Sequence, residues 1–183
     1  MIRRRAKAAA IVAALCAVAT TSEADGPSYT SEPDVRLGSA MATRLDRIGA
    51  EFHRRTGRRL HVTSGTRSPR AQARAMYDKI RLGRPLTRLY RDYEAASEIQ
   101  TAYRRNRRRG RSAAVSAMAS VIRQQMRRGC YVSRHLRASA ADVRSRNLSH
   151  RERRIFREVV RSVGGVSLLE EGRPPHFHLQ LEQ

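Results

Sequence analysis

The sequence is poor in residues that cross-link, stack or carry negative charge. It has two cysteines, Cys16 and Cys130, in 183 residues, so at most one disulfide can form within the chain. Tryptophan is absent, and the three phenylalanines and six tyrosines offer few rings on which nucleic-acid bases could stack. These shortages exclude a disulfide-stapled scaffold and argue against a base-stacking nucleic-acid module.

Long hydrophobic runs are also missing. Four basic residues among the first seven precede twelve uncharged residues, 8–19, which are too few to cross a bilayer core of about 30 Å as a helix. The small residues at the end of this segment match the site that a signal peptidase recognises. We therefore predict a signal peptide over residues 1–19, cleaved after Ala19, with Ala24 as the alternative site, and a periplasmic or secreted protein. An uncleaved anchor, or a lipoprotein anchor at Cys16, is the other interpretation.

Acidic residues are outnumbered: 16 Asp and Glu stand against 38 Lys and Arg, a net charge of +22. Removing residues 1–19 takes away four basic side chains and leaves +18. Such a charge fits nucleic acid, an anionic cell envelope, or a codon preference for arginine, and it governs steering and adhesion more than fold. The run RRNRRRGR at residues 104–111 is the strongest local feature. Because export separates the protein from intracellular nucleic acid, we expect no nucleic-acid partner and consider anionic envelope polymers instead.

The rest of the chain is predicted to form one domain. Residues 20–34 are polar and contain two prolines, which predicts a disordered leader. Short strand patterns alternate with amphipathic helices over residues 35–183, which predicts an α+β fold with a small antiparallel sheet. Residues 84–129 keep a helical period around the arginine run, so we expect a basic helical hairpin there. With the signal peptide removed, no transmembrane segment is expected.

Four polar side chains suggest a metal site. His135 and Asp142 lie seven positions apart, and Asp142 is placed among small apolar residues, where an unpaired carboxylate is costly. His176 and His178 alternate with apolar residues and would share one face of a strand. Two imidazoles and a carboxylate, here His135, Asp142 and His178, are typical ligands of a catalytic zinc ion with one open position. Ligand type alone leaves other first-row metals open.

Proton transfer needs a further group beside the metal. His176 is two residues from a predicted ligand and on the same face, so we predict that it is the general acid or base. Glu170 and Glu171 on the preceding strand are alternatives for this role.

These residues resemble a known family. The string SRHLRASAAD, residues 133–142, resembles the SxHxxGxAxD signature of zinc D-Ala-D-Ala peptidases, with Ala138 at the usual glycine. The later His-x-His resembles that of the wider group that joins these enzymes to lysostaphin-type peptidases and hedgehog domains. The resemblance implies that His135, Asp142 and His178 hold zinc and that His176 assists catalysis.

A third segment supports the same resemblance. The string VTSGTRSPRAQ, residues 62–72, resembles the SGYRS segment of the D,D-peptidases, whose arginine is implied to contact the substrate. This assigns Arg67 to catalysis and substrate binding, with Ser64 and Gln72 as weaker neighbours. Ser133, which opens the first motif, is assigned to substrate binding. A guanidinium suits this role because it can clamp a carboxylate or polarise a carbonyl oxygen.

The sequence therefore predicts a secreted zinc metallopeptidase that cleaves peptidoglycan stem peptides, as a D,D-carboxypeptidase or an endopeptidase, with zinc-bound water as the nucleophile. The alternative is a non-catalytic module of the same fold that binds cell wall or another polyanion. A nucleic-acid-binding protein led by residues 104–111 is the third hypothesis, and it conflicts with the export signal.

Overall fold

The computed structural model describes residues 28–172 and 174–182, so the predicted signal peptide lies outside the described residues. Five α-helices and a five-stranded sheet confirm the predicted α+β class. The strands are β1 (Tyr29–Ser31), β2 (Leu60–Ser64), β3 (Ala140–Arg144), β4 (Val166–Gly172) and β5 (Pro175–Leu181). The helices are α1 (Ser39–Thr56), α2 (Pro69–Arg81), α3 (Tyr93–Asn106), α4 (Arg111–Arg127) and α5 (His150–Val163).

The sheet corrects two predictions. Its order is β1-β2-β3-β5-β4, and β1 runs parallel to β2, so the sheet is mixed and not wholly antiparallel. The prediction of a disordered leader over 20–34 is also wrong from residue 29 onward, because Tyr29–Ser31 form β1. Tyr29 lies opposite Leu60, and the Thr30 hydroxyl donates to the Leu60 carbonyl at 3.2 Å. Pairing with the edge of β2 supplies the hydrogen bonds that so short a polar segment could not find alone.

One face of the sheet packs on α1 and α5. Phe52 of α1 meets Phe156 of α5 edge-to-face at 5.9 Å between ring centroids, and Phe156 stacks on Phe177 of β5 at 4.6 Å. Aromatic pairs of this kind contribute about 0.5–1.5 kcal/mol each beyond the burial of their area. Phe177 and Leu179 are fully buried here, as their alternation predicts. The histidines between them consequently face the opposite side of the sheet.

The start of α5 also follows the sequence pattern. The Ser149 side chain accepts a hydrogen bond from the Glu152 backbone N–H at 3.2 Å, and the Glu152 carboxylate accepts from the Ser149 N–H at 2.7 Å. These two reciprocal bonds form a capping box, which the serine and the glutamate three residues later make possible. It fixes where the helix behind the sheet begins.

A second helical unit lies between β2 and β3 in the chain. It contains α2, α3 and α4 and has its own apolar core, in which Met76, Ile99, Met118 and Ile122 are fully buried. Asp92 caps α3 by accepting from the Ala95 N–H at 2.9 Å. None of the helices in the described ranges has the length and apolar character needed to span a membrane.

A cavity of about 950 Å³ separates this helical unit from the free face of the sheet. Its walls come from α2, from the segments around residues 89–92 and 131–137, and from β3, β4 and β5. The histidines of β5 therefore face a cavity and not open solvent, with the helical unit as its roof.

Candidate metal centre

Three predicted ligands converge at the floor of the cavity. Asp142 lies in β3 directly opposite His178 of β5 in the antiparallel register. His135 lies in the 3-10 turn Arg134–Arg137 just before β3. One donor atom from each of the three lies within 4.8 Å of the others. Residues that are up to 43 positions apart are thus brought to one point by a turn and two paired strands.

Two of the three distances between donor atoms are close to those around one tetrahedral metal ion. Ligand atoms about 2.0–2.1 Å from zinc stand roughly 3.3 Å apart in such a site. Nε2 of His135 lies 3.3 Å from Oδ1 of Asp142, and Nδ1 of His178 lies 2.9 Å from the same oxygen. The imidazole rings of the two histidines are 5.0 Å apart between centroids. Three protein ligands would leave a fourth position for water or substrate.

The hydrogen bonds of His135 show which ring nitrogen is available. Its Nδ1 lies 2.6 Å from the carbonyl oxygen of Gly65. A carbonyl only accepts, so Nδ1 carries the proton and a neutral His135 presents the lone pair of Nε2 to the Asp142 carboxylate. Burial lowers the pKa of His135 and favours this neutral form. The lone pair of Nε2 and the Asp142 oxygen, 3.3 Å apart, could share a bound cation, and a backbone carbonyl behind the ring is the usual support of a metal-bound histidine.

Asp142 is the centre of the group. Burial alone would raise the pKa of its carboxyl, but the neighbouring His135 and His178 rings and the charge of Arg67 hold the pKa well below its usual value. The two oxygens have separate partners, because Oδ1 faces the histidines and Oδ2 accepts from Nη2 of Arg67 at 2.5 Å. The carboxylate is therefore ionised and oriented with one oxygen toward the candidate metal position.

Arg67 is held beside Asp142 by several hydrogen bonds. It follows β2, and its Nε donates to the Ser64 hydroxyl at 2.8 Å while Nη1 donates to Oε1 of Gln72 at 3.4 Å. Its backbone N–H donates to the His135 carbonyl at 3.0 Å. The turn that presents it needs Gly65, because a Cβ there would lie 2.1 Å from the Arg36 carbonyl oxygen. Arg67 thus binds Asp142 directly, a contact that the sequence did not predict.

His176 lies beside the three ligands, one step along β5. Its Nδ1 is 2.7 Å from the Pro174 carbonyl, so Nδ1 carries a proton and Nε2 faces the cavity. Nε2 is 3.7 Å from Oδ1 of Asp142 and 3.7 Å from Oε1 of Glu171. The predicted proton-transfer residue therefore stands between the candidate metal position and a second carboxylate.

The structure distinguishes the two glutamates of β4. Glu171 faces the cavity, bonded to Lys79 of α2 at 3.1 Å, and the Lys79 charge overcomes the effect of burial and lowers the Glu171 pKa. Glu170 faces the other way and pairs with Arg157 and Arg153 of α5 at 3.1 and 3.6 Å. Of the two alternatives, only Glu171 reaches His176.

The remaining motif residues form the wall of the site. Ser133 lines the cavity at the start of the 3-10 turn, where its backbone carbonyl accepts from the Leu136 N–H at 3.1 Å. Ala138 ends this turn in the left-handed conformation, with φ of 56° and ψ of 23°. Glycine adopts this conformation without strain, whereas alanine must place its Cβ in the left-handed region.

Sequence reasoning missed two groups on the helical side of the cavity, Lys79 and Tyr90. Lys79 is one of many basic residues, and Tyr90 sits within a helical apolar pattern, so neither carried a distinguishing signal. Comparisons with protein-family models, with curated proteins and with solved structures found no match. Functional inference for this chain therefore depends on its geometry and on its motifs.

Proposed function

We propose that the protein is an exported zinc metallopeptidase that hydrolyses peptide bonds in peptidoglycan stem peptides, as a D,D-carboxypeptidase or an endopeptidase. The observation that carries the proposal is the convergence of His135, Asp142 and His178 within 4.8 Å at the floor of a cavity. The donor set of two imidazoles and one carboxylate fits catalytic zinc, and it leaves room for water. The resemblance of the two sequence motifs to D-Ala-D-Ala peptidases supplies the substrate class.

Zinc in this set would supply a water nucleophile that ionises near neutral pH and would polarise the scissile carbonyl. The chain itself must move the proton from that water to the leaving amine. His176 suits this task because Pro174 fixes the proton on Nδ1 and leaves Nε2 to exchange a proton inside the cavity. The Glu171 carboxylate, 3.7 Å from Nε2, is the acceptor nearest to a proton that this nitrogen takes up on the β4 side.

Arg67 has donors to spare for the substrate. Its guanidinium carries five N–H groups, and three of them are used by Ser64, Gln72 and Asp142. The others can bind a substrate carbonyl or carboxylate next to the metal position. Arg67 would then both orient the ligand carboxylate and position the substrate.

The rim of the cavity is cationic. Arg91, Arg137 and Arg146 line it together with Arg67, and Arg137 stacks on the ring of Tyr131 at 4.5 Å. A cavity of this sign attracts peptides that end in or carry carboxylates, and the surface charge suits the anionic polymers of a cell envelope.

Hydrolysis of purified muropeptides, followed by mass spectrometry, tests this function. We expect zinc-loaded wild-type protein to release a stem-peptide product and the His176→Ala variant to be slower by about 10² or more. The matched control is His150→Ala, which removes an exposed histidine at the start of α5 and should leave the rate unchanged. If the zinc-loaded wild type leaves every muropeptide intact, the peptidase proposal fails and the non-catalytic binding module replaces it.

A further inference from the structure

Tyr90 lies on the roof of the cavity, on the helical unit that faces the candidate metal centre. Its hydroxyl oxygen accepts a hydrogen bond from Nε2 of Gln72 at 3.2 Å. The side chain of Gln72 is fully buried in α2, and the amide orientation is fixed from its other end, because Arg67 can only donate and so must face Oε1. A row of hydrogen bonds therefore runs from Asp142 through Arg67 and Gln72 to Tyr90.

The direction of these bonds determines what the Tyr90 hydroxyl can do. Because its oxygen accepts from an amide N–H, its own proton is available to donate. Within residues 28–172 and 174–182 no side chain or carbonyl accepts that proton. A half-buried hydroxyl with an uncommitted donor, on the wall of a cavity, is suited to hydrogen-bond a ligand oxygen.

Burial keeps this donor in its neutral form. Burial raises the pKa of Tyr90 to about 12, so the hydroxyl stays protonated throughout the range in which a peptidase works. The ammonium group of Lys79 lies 5.8 Å from the ring centroid, and Lys79 is itself anchored by Glu171 at 3.1 Å. The ring is thus fixed from two sides, by Gln72 and by Lys79, as a preorganised donor must be.

We propose that Tyr90 is a further catalytic residue of this site, whose hydroxyl donates a hydrogen bond to the oxygen of the scissile carbonyl as that oxygen gains negative charge. The inference rests on the proposed peptidase function. In this arrangement, residues of the sheet would hold the metal and transfer the proton. Tyr90, on the helical side of the cavity, would stabilise the oxygen of the scissile carbonyl. Gln72 is a positioning residue in this arrangement, because it acts by directing the Tyr90 proton into the cavity.

The test is steady-state kinetics of muropeptide hydrolysis by wild type and Tyr90→Phe, with zinc content and thermal unfolding measured on the same preparations. Loss of one preorganised donor lowers kcat by about 10², and we expect KM and zinc content to stay near the wild-type values. The control is Tyr77→Phe on α2, whose ring packs edge-to-face against Tyr103 at 5.6 Å and should leave both constants unchanged.

The outcomes separate this inference from the proposed function. An inactive wild type would reject the peptidase and the role of Tyr90 together. An active wild type with Tyr90→Phe unchanged in kcat, or changed only in KM, would overturn the catalytic role of Tyr90 and leave the peptidase intact.

Discussion

Asp142 shows how a single buried carboxylate organises this site. A carboxylate with a side chain only 8% exposed would normally be protonated or unstable. Here Oδ1 faces three imidazoles and Oδ2 binds the Arg67 guanidinium, so each oxygen has cationic or donor partners. Because Arg67 occupies Oδ2, only Oδ1 is directed at the position between His135 and His178. The residue is therefore oriented to offer one oxygen to the proposed metal ion.

Ala138 carries a strain that a single substitution can remove. It is the one non-glycine residue with positive φ among the described residues. We expect Ala138→Gly to raise the free energy of unfolding by about 0.5–1 kcal/mol, since relief of left-handed strain exceeds the added entropy of the unfolded chain. Urea unfolding of zinc-free wild type and variant measures this difference.

The reciprocal control is Gly57→Ala. Gly57 ends α1 with φ of 71°, and a Cβ there would meet no atom within 4 Å. Backbone strain is therefore the main contribution to the change in stability. The free energy of unfolding of this variant should be lower than that of the wild type by about 0.5–1 kcal/mol. An Ala138→Gly protein less stable than wild type would show that the methyl group of Ala138 contributes more by packing than it costs in strain.

Some residues of the candidate site could be predicted from the sequence, and others could not. Four residues stand out in the sequence because of their spacing and of the small or apolar residues that flank them: His135, Asp142, His176 and His178. The contact of Arg67 with Asp142 had no such signal, because arginine is abundant and the partner lies 75 positions away. The Tyr90 hydroxyl was hidden for a different reason: a tyrosine in a helical apolar pattern looks like a core residue.

At the scale of the secondary-structure elements, successive side chains of strand β4 point to opposite faces of the sheet. Two adjacent glutamates of β4 therefore lie on different sides. Glu171 faces His176 in the cavity, and Glu170 faces α5. We expect Glu171→Gln to lower kcat for muropeptide hydrolysis by about 10², because Nε2 of His176 loses the carboxylate that lies 3.7 Å away. Glu170→Gln removes a similar ion pair from the other face and should leave kcat unchanged.

Kinetics of the two variants, together with their melting temperatures, check this assignment. Equal losses of kcat in both would mean that the ion pairs of β4 act on stability alone. A loss confined to Glu171→Gln, with both proteins folded, supports a role beside His176.

The elements also show why local patterns predicted most of the fold and missed one strand. Helices α1, α2 and α5 follow apolar periods with clear starts and stops, such as the capping box of Ser149 and Glu152. Strand β1 has three residues, mostly exposed, and it exists because β2 offers a free edge. No pattern within residues 20–34 contains that information, and for the same reason the parallel pairing that makes the sheet mixed could not be predicted.

At the scale of the whole molecule, the site lies between two packed units with separate apolar cores. The sheet with α1 and α5 supplies Asp142, His176 and His178, and the helical unit supplies Tyr90 and Lys79. Lys79 and Glu171 join the two units across the cavity at 3.1 Å. The cavity therefore depends on both units, and the proposed metal ion would stabilise the folded protein by mass action.

Elemental analysis of zinc after dialysis is the most direct test of this account. We predict about one zinc ion per chain for the wild type and for the exposed-histidine control His53→Ala, and a large loss for His178→Ala. Circular dichroism confirms that each protein is folded. Wild-type protein that retains no zinc, or a His178→Ala protein that retains as much as the wild type, would contradict a metal centre built from His135, Asp142 and His178.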